Sequence, residues 1–468
     1  MPRKAAVKLN QPLFSEPVFQ EEVPTPDPTQ FQVSPNDQQD YTTQVQALLK
    51  TEVVGFNKSN AKDTDVYPLS DAWGPNGATV INAIEAAQAI NFHMIGDSGA
   101  TAAAKYVSEI KVADAVTTDF HASKPADRPS FMFHLGDVVY NFGEWNYYYD
   151  QFYEPFRNYA APIFAIPGNH DSFVLPGTAK GDEPLTTFMR NFCGPKLALT
   201  KDAGSLHRTC LMQPGVYFAL DAPYVRIIGL FSNALEDPGV ISSESGGGAA
   251  AAAKGKGKGK GGGGRGKGGA NWPAVPDYQL AFLTAQLQQI RQTNYQGAVI
   301  IAVHHPPFTY SAQKPGSSGG KHYGSPVMLA EIDSICQQTG VYPHAVISGH
   351  AHNYQRYTRS LRFSGRNYTV PFIICGDSGH NVTAITGSSF SKHVPEPGDN
   401  VDVSYMDKSS VFAGTTLTLN HHDQTNPGFL RVNVNAQKLT VTFCPVSKAG
   451  AVANPDTVTV DLASHTAA

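Results

Sequence analysis

The stretch FMFHLGDVVY, residues 131–140, contains the features that decide the fold of this chain. Five mostly apolar residues of strand length run directly into Gly136-Asp137, and Tyr140 follows three residues after the aspartate. An apolar run that ends in a Gly-Asp pair is typical of a buried β-strand followed by a turn. Because sites in α/β sheets form at the carboxyl ends of strands, we expect Asp137 and Tyr140 to lie at such an edge.

The same arrangement recurs along the chain. Four more apolar runs, NFHMI, PIFAI, AVIIAV and AVIS, begin at residues 91, 162, 298 and 345. The residues that follow them include Asp97, Asn169 with His170, His304, and His350 with His352. Helical patterns at 277–292 and 325–338 lie between some of the runs. Buried strands that alternate with helices predict an α/β core with two packed sheets.

The residue types at these strand ends indicate a metal site. Carboxylate, amide oxygen and imidazole are hard-to-borderline metal ligands. Two aspartates, one asparagine and three histidines are too many for one tetrahedral zinc ion. They suit two metals a few Å apart that share a carboxylate, an arrangement that clamps the attacking and leaving oxygens of a phosphate ester.

The order GD, GDxxY, GNHD, HxP and GHxH, over roughly residues 90–390, resembles the calcineurin-like metallophosphoesterases and, within them, the purple acid phosphatases. Most of that superfamily carries D-x-H in the first block, but position 99 is glycine here. In the purple acid phosphatases a tyrosine at the spacing of Tyr140 replaces the missing histidine. The resemblance implies a four-layer α/β/β/α sandwich of two packed mixed sheets flanked by helices.

The resemblance also implies a set of ligands for each metal. Metal one would take Asp97, Asp137, Tyr140 and His352, and metal two would take the bridging Asp137 together with Asn169, His304 and His350. His305 is the alternative to His304 in the HHPP block. A phenolate ligand favours a ferric ion, so we expect Fe(III) at the Tyr140 site and Fe(II), Zn or Mn at the other.

Two further histidines receive catalytic roles from the resemblance. His170 would contact the phosphate or the leaving group, as an imidazole donor can. His322, in GGKHYGS, resembles a histidine that these phosphatases hold before the GHxH block. The alternative for His322 is an ordinary histidine of a surface loop.

The predicted activity is hydrolysis of phosphate monoesters by a binuclear enzyme of acid phosphatase type, through attack of a metal-bound hydroxide. A phosphodiesterase that uses the same site is the main alternative, because the motifs do not distinguish the two ester classes. The repeated Gly-Asp-Ser-Gly at 96–99 and 376–379 raises a second alternative, a serine hydrolase built on Ser98 or Ser378. The alternation of strands and helices disfavours a chymotrypsin-like enzyme. A non-catalytic binding module is a third alternative, which the complete ligand set disfavours.

We expect an irregular N-terminal arm with short helices over residues 1–88 and a catalytic domain over 89–463. Segment 245–270 interrupts that domain with Gly, Ala and Lys, including six basic residues and no acidic one. Such a composition cannot bury a core and predicts a mobile surface insertion. A basic loop could contact anions, but a tolerated insertion is the favoured interpretation.

Composition limits the partners of the protein. The net charge of −4 over 468 residues predicts no nucleic-acid partner, so we expect a small-molecule phosphate ester as substrate. No apolar run long enough to form a transmembrane segment is present. The N-terminus lacks the apolar part of a signal peptide, which indicates a cytoplasmic protein, whereas the family analogy suggests the periplasm or secretion. Among five cysteines, Cys193 and Cys210 flank a polar loop and could pair.

Overall fold

The computed structural model describes residues 54–100, 103–140, 142–172, 184–204, 206, 208–234, 239–243, 275–310, 322, 324–385, 397–398, 411–412 and 414–468. Residues 1–53 of the expected N-terminal arm and the whole insertion at 245–270 lie outside this set. The predictions made for those two segments therefore stay predictions.

The described residues form a mixed α/β fold. The α-helices are α1 (Leu69–Ala72), α2 (Gly77–Ala87), α3 (Ala103–Ala122), α4 (Thr186–Phe192), α5 (Tyr278–Gln292) and α6 (Pro326–Thr339). The first strands are β1 (Tyr67–Pro68), β2 (Ala89–Ile95), β3 (Met132–His134), β4 (Ile163–Ala165), β5 (Cys193–Leu199), β6 (Thr209–Met212), β7 (Phe218–Ala222), β8 (Val225–Leu230) and β9 (Ala298–Val303). The later strands are β10 (Ala345–Ser348), β11 (Tyr354–Phe363), β12 (Arg366–Cys375), β13 (Thr416–Asp423), β14 (Gly428–Asn435), β15 (Lys438–Pro445), β16 (Asp456–Asp461) and β17 (Thr466–Ala467).

Fifteen of the described strands belong to one hydrogen-bonded sheet, in the order β1-β7-β8-β9-β10-β12-β17-β16-β15-β14-β2-β3-β4, with β11 and β13 beside β12. Strands β8, β9, β10 and β12 run parallel, and so do β2, β3 and β4. The two halves meet where β17 pairs with β12 through Thr369 and Thr466. The sheet therefore consists of two mixed halves with a narrow hydrogen-bonded junction.

The two halves pack face to face. The ring of Phe218 in β7 stacks on Phe133 in β3 at 5.9 Å between centroids, and lies 6.3 Å from Phe164 in β4. A side chain at Gly229 in β8 would meet Ile166, beyond β4, at 2.7 Å. Helices α5 and α6 pack together beside β8, while α2 contacts β2 and α3 contacts β14. Helices thus flank both halves, and the predicted sandwich of two packed mixed sheets is confirmed.

The hydrophobic pattern follows from these layers. Strand β9, AVIIAV, is buried along its whole length, as expected for a parallel strand covered on both faces. The alternation in FLRVNVNAQKLTVTF predicts a hairpin, and β14 and β15 form one in which Val432 pairs with Val441 and Val434 with Leu439. The five cysteines all lie among the described residues as free thiols, so Cys193 and Cys210 are not bridged.

The residues before β2 pack on the same core. Strand β1 pairs parallel with β7, and the side chains of Leu69 and Trp73 are buried. The Trp73 indole nitrogen donates a hydrogen bond to the Ser130 carbonyl at 3.0 Å. Across the part of the chain that is described, no helix combines the length and apolar character needed to cross a membrane.

Candidate metal centre

The turns that follow β2, β3 and β10 hold their side chains through unusual backbone geometry. Asp97, Asp137 and His350 have φ angles of 56°, 54° and 66°, a left-handed region that non-glycine residues seldom adopt. Side-chain acceptors fix these turns: the His350 N–H donates to Asp97 Oδ2 at 2.7 Å, and the His170 N–H donates to Asp137 Oδ1 at 2.9 Å. Strained turns of this kind persist where the surroundings determine them, and they cluster at functional sites.

One group of donor atoms gathers around the Tyr140 hydroxyl. This hydroxyl donates to Asp97 Oδ1 at 3.1 Å and lies 3.2 Å from His352 Nε2. His352 Nε2 is in turn 3.5 Å from Asp97 Oδ1. The three side chains predicted for metal one, besides the bridging aspartate, therefore meet at a single buried point.

A second group gathers around Asn169. Its Oδ1 lies 3.0 Å from His304 Nε2 and 3.2 Å from His350 Nδ1. His304 Nε2 is 3.4 Å from Asp137 Oδ2, and donor atoms of Asp137, His304 and His350 all lie within 4.8 Å of one another. His304 Nδ1 donates to the Leu135 carbonyl at 2.9 Å, which leaves Nε2 as the coordinating nitrogen.

His305, the alternative to His304, points elsewhere. Its Nδ1 lies 2.7 Å from the Ser232 hydroxyl, and its ring packs against His350 with centroids 4.2 Å apart. Of the two histidines, His304 is the one that lies beside Asn169 and Asp137.

The electrostatics of the cluster favour a bound cation. Burial and the neighbouring Asp137 raise the pKa of Asp97 well above its ordinary value. Burial opposes a charge on His304, but the carboxylates of Asp137 and Asp97 outweigh it and raise the His304 pKa to about 9. Burial and adjacent histidines lower the pKa of His350, which keeps it in the neutral form that binds metals. The raised pKa values of Asp97 and His304 mean that the cluster binds protons in place of a cation, and a metal ion bound to these donors would displace those protons.

Position 99 leaves little room for a side chain. A Cβ at Gly99 would lie 2.7 Å from the Val138 carbonyl, 2.8 Å from Gln151 Oε1 and 3.1 Å from Tyr140 Cδ2. Contacts under 3.0 Å are not tolerated by real Cβ atoms. A side chain at position 99 would therefore clash first with the Val138 carbonyl and the Gln151 amide, and would also press on the Tyr140 ring.

Gln151, which sequence reasoning missed, holds the backbone of Tyr140. Its side-chain carbonyl accepts from the Tyr140 N–H at 2.9 Å, and its amide nitrogen donates to the Tyr140 carbonyl at 2.7 Å. Gln151 lies in the single-turn π-helix Tyr149–Tyr153 and is 1% exposed. Eleven residues separate it from Tyr140, so only the folded loop reveals the pairing.

Asp171, the last residue of GNHD, is a second residue that sequence reasoning left without a role. Its carboxylate accepts hydrogen bonds from the backbone N–H groups of three residues, Val138, Val139 and Gly168, at distances from 2.9 to 3.1 Å. These bonds tie the turn that follows Asp137 to the turn that carries Asn169. The only sign of this role in the sequence is that Asp171 belongs to the GNHD motif.

Three more histidines border the cluster. The His170 ring is partly exposed and lies 4.2 Å from the Tyr140 ring. The His322 ring, also partly exposed, lies 4.7 Å from His350 and 4.9 Å from His352. His380 is a further residue that sequence reasoning missed. Its buried ring stacks on the ring of Tyr140, with 3.9 Å between the centroids. His170 and His322 thus both contact rings of the predicted ligand set.

The two Gly-Asp-Ser-Gly copies are hydrogen-bonded to each other. The Ser378 hydroxyl accepts from the Gly96 N–H at 3.2 Å and donates to the Gly428 carbonyl at 2.8 Å. Ser98 Oγ lies 2.8 Å from His134 Nε2, while His134 Nδ1 accepts from the Gly136 N–H at 3.2 Å. A neutral His134 therefore carries its proton on Nε2 and donates to Ser98, so it is not placed to act as a base. Both serines have structural partners instead of a nucleophile's surroundings.

The mixed α/β sandwich and the oxygen and imidazole donors at its strand ends together define the class of metal-dependent hydrolases that act on phosphate esters. Comparison with protein families gives the narrower assignment, because residues 91–354, more than half of the 468-residue chain, match the model of the calcineurin-like phosphoesterases. The chain belongs to this family, and the membership predicted from the order of the motifs is confirmed.

Comparisons with individual proteins add less. No curated protein sequence matches this chain. Among solved structures, one described as "Structure of PhoD" aligns with probability 1.00, a TM-score of 0.42 and 11% sequence identity. The alignment covers 80% of this chain and 70% of that chain.

Proposed function

We propose that this protein is a binuclear metal-dependent phosphohydrolase of acid phosphatase type that hydrolyses phosphate monoesters. The observation that carries the proposal is the meeting of seven predicted ligands, from five strand ends, in two adjacent groups of donor atoms. When bound, the metal pair supplies Lewis acidity to the phosphate and lowers the pKa of the attacking water.

In this proposal each group of donors holds one metal ion. Asp97, Tyr140 and His352 hold the first, Asn169, His304 and His350 hold the second, and Asp137 joins them, since its carboxylate lies beside His304 and next to Tyr140. Two metal ions held by these residues would supply Lewis acidity to one phosphate, which is the chemistry that two-metal hydrolysis of phosphate esters needs.

We assign Fe(III) to the Tyr140 group and Fe(II), Zn or Mn to the Asn169 group. Burial and the carboxylates of Asp137 and Asp97 raise the pKa of the Tyr140 phenol well above its ordinary value. A phenolate forms there only if a highly charged ion offsets these effects. Glycine at position 99 supports Tyr140 as a ligand, because that position offers no imidazole to the first metal.

The partly exposed histidines have the substrate-side roles. His170, beside Tyr140, and His322, over the His350 and His352 rings, border the buried donor atoms. An imidazolium at either position can donate a hydrogen bond to a phosphate oxygen and give a proton to the departing alkoxide. We propose His170 as the principal donor and His322 as its partner.

The test combines metal analysis with the visible spectrum of the purified protein. We expect two metal ions per chain, one of them iron, and a tyrosinate-to-iron charge-transfer band. Asp137→Asn should abolish hydrolysis and release metal, because it weakens the ligand shared by both ions. Unchanged activity in Asp137→Asn contradicts the metallohydrolase assignment, and manganese or zinc in both positions contradicts the assignment of iron.

The ester class is tested separately. Hydrolysis of an aryl phosphate is compared with hydrolysis of the corresponding bis-aryl phosphate at equal metal loading. A higher kcat/KM for the aryl phosphate supports the monoesterase, and a higher value for the bis-aryl phosphate would replace it with a phosphodiesterase on the same site.

A further inference from the structure

A basic pocket lies next to the proposed metal centre, and no part of the proposed function uses it. Its volume is about 450 Å³, and its lining includes Lys105, Lys111 and Lys448 together with the hydroxyls of Ser108 and Ser447. None of the described residues that line the pocket is acidic. A concave surface with three ammonium groups and no carboxylate favours an anionic occupant.

His380 connects this pocket to the metal centre. Its ring lines the pocket and stacks on Tyr140 at 3.9 Å between centroids. His380 Nδ1 donates to the Gly99 carbonyl at 2.8 Å, so Nε2 accepts from the Lys105 ammonium, also at 2.8 Å. The imidazole ring of His380 and the phenol ring of Tyr140 therefore lie between Lys105 and the proposed site of metal one.

The other two lysines of the pocket, Lys111 and Lys448, come from different parts of the chain. Lys105, Ser108 and Lys111 recur every three residues on α3 and so share one side of that helix. Lys448 is exposed and follows β15. Within the described residues, none of the ion pairs formed involves Lys111 or Lys448. Their charges are available to a ligand, and a bound anion would relieve their mutual repulsion.

We propose that this pocket binds a second phosphate group of the substrate, and that the preferred substrates are phosphate esters that carry a phosphate at each end. The proposal rests on the proposed function, because it places the phosphate that is hydrolysed at the metal centre and the other phosphate among the lysines. Serine, threonine and asparagine side chains of the pocket wall offer further hydrogen bonds to its oxygens.

The experiment compares KM for an aryl phosphate with KM for α,ω-alkanediol bisphosphates of increasing chain length, with phosphate release as the readout. One chain length should fit best and give a lower KM than the aryl phosphate. In Lys111→Gln and Lys448→Gln, the KM for that bisphosphate should rise about two- to fivefold relative to the KM for the aryl phosphate, the loss expected for one ion pair at the surface. Lys124→Gln is the matched control, because Lys124 is an exposed lysine just beyond the end of α3, and it should keep the wild-type ratio.

The proposal is overturned if no bisphosphate is preferred by the wild type, or if both lysine variants keep the wild-type ratio of KM values. If the aryl phosphate is not hydrolysed with any metal, the proposed function fails and the pocket is tested by binding alone. Calorimetry with non-hydrolysable alkane bisphosphonates over the same range of chain lengths then decides. Weaker binding to Lys111→Gln than to Lys124→Gln supports the pocket, and equal binding contradicts it.

Discussion

Gln151 offers the sharpest test of how the fold positions Tyr140, through the variant Gln151→Leu. The Gln151 amide pairs with both the N–H and the carbonyl of Tyr140, at 2.9 and 2.7 Å, and is buried. Leucine has a similar volume but leaves both backbone groups buried without these partners. Each such group costs about 1–3 kcal/mol, so the free energy of unfolding should fall by about 2–6 kcal/mol.

The fold supplies a matched control in Gln279. Its buried side chain makes the same two bonds to the N–H and carbonyl of Phe231, both at 2.7 Å, and Phe231 is none of the predicted ligands. Gln279→Leu should lose stability by a similar amount. Only Gln151→Leu should also move the Tyr140 hydroxyl, which shifts the tyrosinate-to-iron band and lowers kcat by about tenfold or more, because small misplacements of catalytic groups cost this much.

The measurements are urea unfolding, the visible spectrum and steady-state hydrolysis of an aryl phosphate by both variants. If Gln151→Leu and Gln279→Leu lose the same stability and keep the same spectrum and kcat, Gln151 is a structural residue and does not position Tyr140. If Gln151→Leu loses no stability, the two hydrogen bonds do not have the value assigned to them.

Three further predictions concern the metal ligand, the serines and a buried histidine. Tyr140→Phe removes the hydroxyl that lies 3.1 Å from Asp97 Oδ1, so the charge-transfer band should vanish; a retained band would assign the colour to another ligand. Ser98→Ala and Ser378→Ala should keep kcat within about threefold, since the proposed reaction uses no serine nucleophile; loss of activity with metals still bound contradicts this. Burial lowers the pKa of His344 from 6.5 to about 4. Between pH 6.5 and pH 4, His344 therefore binds a proton in the unfolded chain but stays neutral in the folded chain. Stability is therefore lost as pH falls, by about 3 kcal/mol between about pH 7 and pH 4, and His344→Gln should flatten the profile in urea unfolding.

Much of this architecture could be predicted because strands and turns leave local signals. The run FMFHL followed by Gly136-Asp137 is buried as β3 and delivers Asp137 to the strand end. The alternation around Val432 and Val441 predicted the hairpin that β14 and β15 form. These features depend on hydrophobic periodicity and on residues adjacent in the chain, which a sequence displays directly.

The partners of Tyr140 could not be predicted in the same way. Gln151 and His380 reach Tyr140 through a loop and through the strand end of β12, and neither belongs to a motif. The basic pocket is similar, since it joins lysines that lie more than three hundred residues apart in the sequence, Lys105 and Lys448. Contacts of long sequence separation leave no period or spacing to read, so only the folded chain brings them out.

The origin of the predicted ligands gives the metal centre a structural meaning as well. Asp97, Asp137 and Asn169 follow strands of one half of the sheet, and His304 and His350 follow strands of the other. Between those halves the ladder narrows to the pairing at β17, and the second Gly-Asp-Ser-Gly copy adds a tie beside the site through Ser378 and Gly96. Metal ions held as proposed would therefore link the two halves of the sheet at a place where no hydrogen bonds between the described strands do so. The repeated motif therefore belongs to the scaffold that brings the predicted ligands together, and Asp97 of the first copy is the one residue of the repeat that has a chemical role in the proposed function.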